Sequence, residues 1–200
     1  MGRPRQHDLD ELLAHARTLW VERGVDGLTI RALSSVSGAS NGAVYHAFGS
    51  RDGLLARVWA READRFLAFQ RHQVDEAMSQ GDAAVALVAA ALAPAAYAGY
   101  DADGARLLLA ASADDFAASE LDEEGRTQLL RLREELGALH LELASALWGR
   151  TDRAAVASVR HCVVTLPAAL LLQSAKVADP IAKHALEHAV RGIAAVSPPT

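Results

Sequence analysis

The sequence predicts an all-α protein, and three observations favour this fold class. Apolar residues recur at intervals of three and four along most of the chain, residues that can cap helices precede these stretches, and no alternating strand pattern is found. With 200 residues and 51% apolar content, the chain can bury a sizeable core without disulfide bonds. We therefore expect three short N-terminal helices followed by a larger helical domain.

The first three predicted helices are short and closely spaced. Between residues 9 and 20 the apolar positions form the stripe of an amphipathic helix, and Gly24 supplies a stop. Thr29 then caps a second helix that ends at Gly38. Ser40 caps a third helix, which closes at Gly49.

The turn between the second and third helices contains glycine and has the length found in a helix-turn-helix unit. Because this turn is tight, the two helices must cross steeply, and they are expected to pack through Leu33, Val36 and Val44. The polar start of the third helix then remains outside, where it can enter a DNA major groove.

The remaining helices are longer. Ser50 caps the fourth helix, which we expect to be shared between the N-terminal domain and the larger domain. Breaks at glycine, aspartate and proline predict further helices near residues 82–98, 103–113, 120–148, 152–178 and 181–196. The chain is expected to end in a frayed Pro198, Pro199 and Thr200. The predicted domains are residues 1–50 and residues 51–200.

Charge, apolar patterning and cysteine content narrow the classes of function. The net charge is -5, yet residues 1–61 carry eight arginines against six acidic residues, so the modest positive charge is confined to the N-terminal part. That part is polar and lacks a secretion signal, and the longest apolar stretches are interrupted, which favours buried helices over membrane spans. The single Cys162 cannot form an internal disulfide. A cytoplasmic location without membrane contact is expected.

The residues of the helix-turn-helix also carry a family resemblance. Residues 29–33 read TIRAL and residues 37–55 read SGASNGAVYHAFGSRDGLL. Their glycine, serine, tyrosine, phenylalanine and Ser-Arg pair have the spacing of the TetR/AcrR family of bacterial regulators, which this chain resembles from about Leu9 to Val58. Beyond Val58 the resemblance is only a helical pattern of suitable length.

The starts of helices two, three and four are candidate phosphate sites, because helix N-termini present free N–H groups and a positive dipole end. Each cap taken alone is explained equally well as a stabiliser of its own helix. Gly42 permits a close backbone approach, and Asn41 can pair with adenine through N6 and N7. The resemblance implies that Tyr45 binds a phosphate and that His46 lies near a base edge or the backbone. The predicted DNA-binding residues are Thr29, Arg31, Ser40, Asn41, Gly42, Tyr45, His46 and Arg51.

The chain departs from the family pattern at two positions. Many relatives carry lysine where Asn41 stands and histidine where Ala47 stands, so this chain lacks two common polar or cationic contacts. Affinity is then expected to depend more on four arginines, namely Arg3, Arg5, Arg31 and Arg51. With few cations in each subunit, tight binding requires a homodimer on palindromic double-stranded DNA.

The last two predicted helices, 152–178 and 181–196, are rich in alanine, valine and leucine. Small residues let helices approach closely, and the resemblance implies that these helices form a four-helix interface with a second copy of the chain. Packing within a single chain is the alternative.

The resemblance further implies a ligand cavity among the middle helices, whose occupant changes the separation of the two DNA-reading heads. Pro94 and Pro167 interrupt helical hydrogen bonding and mark either space for a ligand or an irregularity of packing. The apolar interior favours a lipophilic ligand. The candidate wall residues, each also explicable as plain core, are Phe66, Tyr97, Tyr100, Phe116, His140, Trp148 and Cys162.

No catalytic cluster emerges from the sequence, and neither a cofactor nor a metal site is predicted. Asp114 and Asp115 beside Phe116 fit a capping or solvent-facing loop. His184 and His188 have the i, i+4 spacing that can hold a metal, but no second ligand set accompanies them, so exposed helix surface is the preferred interpretation.

These observations predict a DNA-binding transcriptional regulator. The resemblance implies a repressor that a small molecule releases from its operator. The alternative is a DNA-bound structural or protein-interaction factor without an inducer.

Overall fold

The computed structural model describes the backbone of residues 6–111, 113–116, 121–172 and 177–199. Over these residues the chain is helical and contains no strand, as predicted. The first four helices are α1 (Gln6–Gly27), α2 (Ile30–Ser37), α3 (Asn41–Phe48) and α4 (Arg51–Ser79). The later ones are α5 (Ala83–Tyr100), α6 (Ala102–Ala110), α7 (Glu123–Trp148), α8 (Arg153–Arg160) and α9 (Pro180–Ala194). Arg3 and Arg5 lie outside the described residues.

The chain forms two compact units. The first unit comprises Met1–Ala63 and Arg106–Leu132, and the second comprises Asp64–Ala105 and Arg133–Thr200. Helix α4 contributes to both units, in keeping with the shared fourth helix that the sequence indicates. The domain boundary at residue 50 remains a prediction.

The N-terminal part of the first unit is built by α1, α2 and α3. Helix α1 contacts α2, and α2 contacts α3. Their apolar stripes meet in a core of residues that are almost wholly buried, which includes Leu12, Leu13, Ala16, Leu19, Trp20, Leu28, Ile30, Leu33, Val44 and Phe48. Gly24 interrupts α1 with a φ of 72° and a ψ of 178°, a conformation that glycine adopts at little cost. The predicted stop therefore lies inside a longer element.

Helix α2 packs through a narrower stripe than the sequence predicts. Leu33 and Val44 are buried as expected, but the Val36 side chain is 43% exposed, so its predicted place in the α2–α3 contact is wrong. At about 100° per residue, Val36 lies roughly 100° around the helix from the stripe formed by Ile30, Leu33 and Ser37. A helix as short as α2 buries only a narrow stripe against its neighbours, so a side chain this far around the helix remains exposed.

The second segment of the first unit is joined to the N-terminal half of α4. Arg57 donates to a carboxylate oxygen of Glu124 at 2.7 Å, and the Trp59 indole N–H donates to the Ala111 carbonyl at 3.0 Å. Phe116, in a short 3₁₀ turn at Ala113–Phe116, has its ring centroid 5.9 Å from that of Trp59. Helix α6 ends at Ala110, before the predicted boundary at residue 113, and the separate turn begins at Ala113. Asp115 is exposed there, as the sequence indicates.

The second unit is a helical core whose centre is α5. Helix α5 packs against α9 and against the chain that follows α8, and residues from α4 and α7 complete the core. By length and composition alone, Ala83–Tyr100 and Arg153–Leu172 match membrane spans, although 44% and 33% of these windows are buried in this fold. Helices at the core of a globular domain share this composition.

A proline within α5 is accommodated by a side chain from α4. Pro94 has no N–H, so the Ala90 carbonyl four residues earlier lacks its usual helical donor. The Gln70 amide Nε2 donates to that carbonyl at 2.9 Å, and the Gln70 side chain is buried, with 1% exposed. Gln70 thereby replaces the hydrogen bond that the proline removes.

The predicted helix 152–178 is instead divided. The α-helix ends at Arg160, and π-helical turns follow at His161–Thr165 and Ala168–Leu172. The Leu166 N–H donates to the His161 carbonyl five residues earlier, immediately before Pro167, which has no N–H to donate. The wide turns thus lie on both sides of the proline. Residues 173–176 of the predicted helix lie outside the described residues.

The C-terminal tail is held in place, which makes the predicted fraying wrong for Pro198 and Pro199. Pro198 is buried, and the Arg150 guanidinium donates to the Pro198 carbonyl at 2.6 Å and to the Pro199 carbonyl at 3.2 Å. Asp152 anchors that guanidinium through two further hydrogen bonds, at 2.6 and 3.1 Å. The predicted fraying of Thr200 concerns a residue outside the described ones.

Candidate nucleic-acid interface

Helix α3 presents one polar face to solvent. Asn41, Gly42, Tyr45 and His46 are all exposed, and the Tyr45 side chain is 54% exposed. Their spacing of one, four and five residues places them on the same side of the helix. Val44 and Phe48, on the adjoining side of the helix, are buried in the first unit. The structure therefore brings these four predicted contact residues together.

The predicted caps close the helix-turn-helix. The Thr29 hydroxyl accepts from the Ala32 N–H at 3.1 Å, and the Ser40 hydroxyl accepts from the Ala43 N–H at 3.2 Å. Arg31 is exposed in the first turn of α2. The other N–H groups of these first turns have no partner within their own helix, so they are suited to an anion.

Two serines that sequence reasoning overlooked fix the turn between α2 and α3. The Ser34 hydroxyl donates to the Ala39 carbonyl at 2.6 Å, and the Ser37 hydroxyl donates to the Leu33 carbonyl at 2.7 Å. Ser37 also accepts from the Ala39 N–H at 3.3 Å. The signal was the cluster of serines just before Gly38, since serine commonly bonds nearby backbone groups at helix ends. These bonds set the angle at which α3 leaves α2.

Gly42 is a glycine that the fold itself does not require. A Cβ atom built there would come within 4 Å of a single neighbour, the Ser40 hydroxyl oxygen, at 3.9 Å. Glycine in a helix costs roughly 1 kcal/mol relative to alanine. The absence of any intramolecular crowding at this exposed position suits the close approach of an external partner.

Gly53, in contrast to Gly42, is a glycine that the fold requires. It was not identified from the sequence. A Cβ atom at Gly53 would lie 2.2 Å from the Phe48 carbonyl oxygen at the end of α3. Its N–H donates to the Ser50 hydroxyl at 2.9 Å, which confirms the predicted cap of α4. Glycine at this point lets the first turn of α4 lie directly against the end of α3. The available signal was a glycine in a first helical turn, where alanine is favoured.

Arg51 is occupied within the first unit. Its Nε donates to the Leu28 carbonyl at 2.9 Å, and its Nη2 donates to the Val25 carbonyl at 2.6 Å. An exposed carboxylate oxygen of Asp26 lies 3.8 Å from the same Nη2. These contacts fasten the start of α4 to the connection between α1 and α2. The structure thus gives Arg51 a positioning role, while its phosphate contact remains a prediction.

The residues predicted to line a ligand cavity do not all belong to one unit. Phe66, Tyr97 and Tyr100 lie in the second unit, where they join Phe69 in an aromatic cluster with ring centroids 5.4 to 6.2 Å apart. Phe116 belongs to the first unit and is not a member of this cluster. Spacing along the sequence does not indicate that division, because residues 106–132 join the first unit through contacts with residues far away in the chain.

Three other candidates are also found in the second unit. Cys162 is fully buried, and burial raises the pKa of its thiol to about 11, so it remains protonated at neutral pH. The Trp148 indole N–H donates to the Ala194 carbonyl at 3.3 Å. His140 is buried, and its Nε2 atom has no hydrogen-bond partner among the described residues.

Burial of His140 should make the stability of the second unit depend on pH. Burial, and to a smaller extent the positive charge of Arg160, lowers the His140 pKa below 6.5. The unfolded chain then binds this proton more readily, so acidification from about pH 7 to pH 5 favours unfolding. We expect urea denaturation to show a smaller loss of stability over this interval in His140→Gln than in the unmodified chain. The exposed His72→Gln is the control, and equal losses in all three proteins would contradict this role for His140.

His184 and His188 lie side by side on an exposed face of α9. Their ring centroids are 4.2 Å apart, and Glu187 between them pairs with Arg191 at 3.0 Å. No group of three or more histidine, cysteine, aspartate or glutamate side chains within the described part of the chain is placed to hold a metal ion.

Comparison with known proteins agrees with the helix-turn-helix geometry. The family model of bacterial regulatory proteins of the TetR family matches residues 12–58. The HTH-type transcriptional repressor AcnR of Corynebacterium glutamicum is 36% identical over 55 residues. That match covers 28% of this chain and 29% of the repressor, so it spans less than a third of the curated relative.

Solved structures share the fold over nearly the whole chain. The TetR family transcriptional regulator PfmR of Thermus thermophilus has a TM-score of 0.60 and 19% identity, with 92% of this chain and 97% of that chain covered. A transcriptional regulator of a Rhodococcus species has a TM-score of 0.62 and 24% identity, with 94% of each chain covered. At such identities the likeness concerns the fold. Residues 12–58 thus match the TetR family of bacterial regulatory proteins, and the whole chain shares the fold of these solved structures.

Proposed function

We propose that this chain is a sequence-specific regulator of transcription that places α3 in the major groove of double-stranded DNA. The observation that carries the proposal is the exposed face of α3, where Asn41, Gly42, Tyr45 and His46 lie together above a buried Val44 and Phe48. The buried apolar side fixes α3 to the first unit. The exposed polar side is suited to the DNA major groove, which admits an α-helix. The cytoplasm is the corresponding location.

Each residue of this face has a distinct expected role. Asn41 reads adenine through a pair of hydrogen bonds, and the Tyr45 hydroxyl donates to a phosphate. Gly42 lets the DNA backbone approach the start of α3, where free N–H groups favour an anion. Thr29 and Arg31 bind a second phosphate at the start of α2, and His46 approaches a base edge or the backbone.

The active species is proposed to be a homodimer. Arg31 is exposed, whereas Arg51 is engaged with backbone carbonyls, so one subunit offers few cations to the phosphates. Two subunits double the contacts and require half-sites about 34 to 36 Å apart, or a multiple of that distance. The operator is then palindromic.

Helix α9 offers a surface for the second copy. Its exposed residues recur at helical spacing and form one stripe, namely Ile181, His184, Ala185, His188, Arg191 and Gly192. Ile181 is 78% exposed, and the small residues permit close helix approach. Pairing of this stripe and the neighbouring α8 with the same elements of a second copy would form the four-helix interface. The regulator is proposed to repress, and a small molecule bound in the second unit is proposed to release it.

Gly42→Ala tests the DNA-binding face without harming the fold. The added methyl group meets no crowded neighbour and improves helix propensity, so the free energy of unfolding should rise by up to about 1 kcal/mol. DNA affinity should fall about tenfold, because the methyl group holds the phosphate away. Thermal denaturation and fluorescence anisotropy with a selected operator measure the two quantities.

The matched control is Gly137→Ala, in the interior of α7, where a Cβ atom likewise meets nothing within 4 Å. This variant should gain similar stability and keep full DNA affinity. If Gly42→Ala binds DNA as tightly as Gly137→Ala does, the proposed approach of DNA to α3 is incorrect.

A further inference from the structure

The second unit contains a buried polar atom for which the described residues offer no partner. The amide Nε2 of Gln70 donates to the Ala90 carbonyl at 2.9 Å. Pro94 has no N–H and cannot make this hydrogen bond. Its Oε1 atom is buried and has no hydrogen-bond partner among the described residues. An unpaired buried acceptor costs about 1 to 3 kcal/mol, so a group that donates to it from outside the chain is strongly favoured. The proline fixes the orientation of the amide, because Nε2 must face Ala90.

His140 is a second buried polar residue of the same unit. Arg71 and Glu142 form an ion pair that sets α4 beside α7 at this point. Gln70 precedes Arg71 by one residue and His140 precedes Glu142 by two, and both side chains turn inward, as their burial shows. His140 Nε2 is the second buried polar atom here without a partner among the described residues.

Two aromatic side chains lie near Gln70 and Ala90 along the same two helices, α4 and α5. Phe66 lies one turn before Gln70 on α4, and Tyr97 lies two turns beyond Ala90 on α5. Their ring centroids are 5.5 Å apart in an edge-to-face arrangement. Gln70 and Ala90 thus lie within one to two helical turns of an aromatic pair that suits a flat or apolar ligand.

We propose that Gln70 Oε1 is the hydrogen-bond acceptor that anchors the effector of this regulator, an apolar small molecule that carries a hydroxyl or N–H donor. The inference rests on the proposed ligand-responsive function and specifies the ligand class for its second unit. It adds a hydrogen-bond donor to the lipophilic ligand that the composition favours. The aromatic cluster is expected to contact the apolar body of this ligand.

The test uses phenol and toluene as probes, since they share a ring but only phenol has a donor. Binding is measured on the full chain by ligand-observed NMR titration. Gln70→Met alone leaves the Ala90 carbonyl unpaired and is expected to destabilise the second unit. The comparison is therefore made between the unmodified chain, in which Pro94 fixes the Gln70 amide, and Pro94→Ala/Gln70→Met, in which the alanine N–H restores the helical bond to the Ala90 carbonyl.

Phenol should bind the unmodified chain at least tenfold more tightly than it binds Pro94→Ala/Gln70→Met. Toluene affinity should be the same in both. The inference is overturned if the two probes lose affinity equally, if neither loses affinity, or if neither binds the unmodified chain. In each of those cases Oε1 is satisfied by an internal water only or is inaccessible.

The outcome is independent of DNA binding, because no DNA is present in these titrations. A preference for phenol that depends on Gln70 supports the ligand site even if no operator is found. Conversely, α3 can bind an operator while one of the overturning results is obtained. The proposed DNA-binding function then stands, and Gln70 is not the anchor of a ligand.

Discussion

Gly53→Ala is expected to lower the free energy of unfolding of the first unit by about 3 kcal/mol, the upper end of the usual cost of overpacking. The added methyl carbon would lie 2.2 Å from the Phe48 carbonyl oxygen, well inside van der Waals contact. The obstructing atom belongs to the backbone, so α3 and the first turn of α4 must move apart. Urea denaturation followed by the fluorescence of Trp20 and Trp59 measures the loss.

The same displacement should weaken DNA binding, because α3 is held at its C-terminal end by this contact. Gly42→Ala is the natural counterpart, since it adds the same methyl group to the other end of α3 without crowding. A Gly53→Ala chain as stable as the unmodified protein would show that α4 begins farther from α3 than the structure indicates.

Arg17→Met should destabilise the first unit by about 3 to 5 kcal/mol, the usual cost of removing one partner of a buried ion pair. Arg17 Nε lies 2.7 Å from a carboxylate oxygen of Glu62, whose side chain is 1% exposed. Methionine preserves much of the packing volume of arginine but removes the guanidinium that pairs with the buried Glu62 carboxylate. Equilibrium denaturation in urea provides the measurement.

Two further variants separate charge from packing. Arg17→Met/Glu62→Leu should regain most of the lost stability, because an apolar pair replaces a buried pair at little cost. Arg61→Met removes an arginine whose carboxylate partner, Asp10 at 3.0 Å, is largely exposed, and should cost less than about 1 kcal/mol. Equal effects of Arg17→Met and Arg61→Met would contradict the special importance of the buried pair.

The elements that could be predicted from the sequence are those determined by neighbouring residues. The caps Thr29, Ser40 and Ser50 bond N–H groups within their own first turns, so type and spacing were sufficient to find them. The solvent-facing side of α3 followed from the apolar spacing of Val44 and Phe48 in the same way. Local chemistry therefore predicted most of the candidate DNA-binding face.

The contacts that escaped prediction join residues far apart in the chain. Gln70 meets Ala90 only because α4 lies against the point where Pro94 interrupts α5, and Arg51 reaches Leu28 across two helices. Phe116 was grouped with the ligand candidates by residue type, although tertiary contacts place it beside Trp59 in the other unit. Such pairings depend on how helices pack, which spacing within one helix does not determine.

The measurement that tests the central claim most directly is the selection of bound DNA from a random duplex pool, at two salt concentrations, by the unmodified chain and by Asn41→Ala. We expect the unmodified chain to enrich a palindrome whose affinity falls as salt increases, because phosphate contacts release counterions. The base preference at one position of each half-site should relax in Asn41→Ala. If no sequence is enriched and binding is only weak and salt-sensitive, α3 does not read DNA sequence, and a structural or protein-interaction factor becomes the better account of this chain.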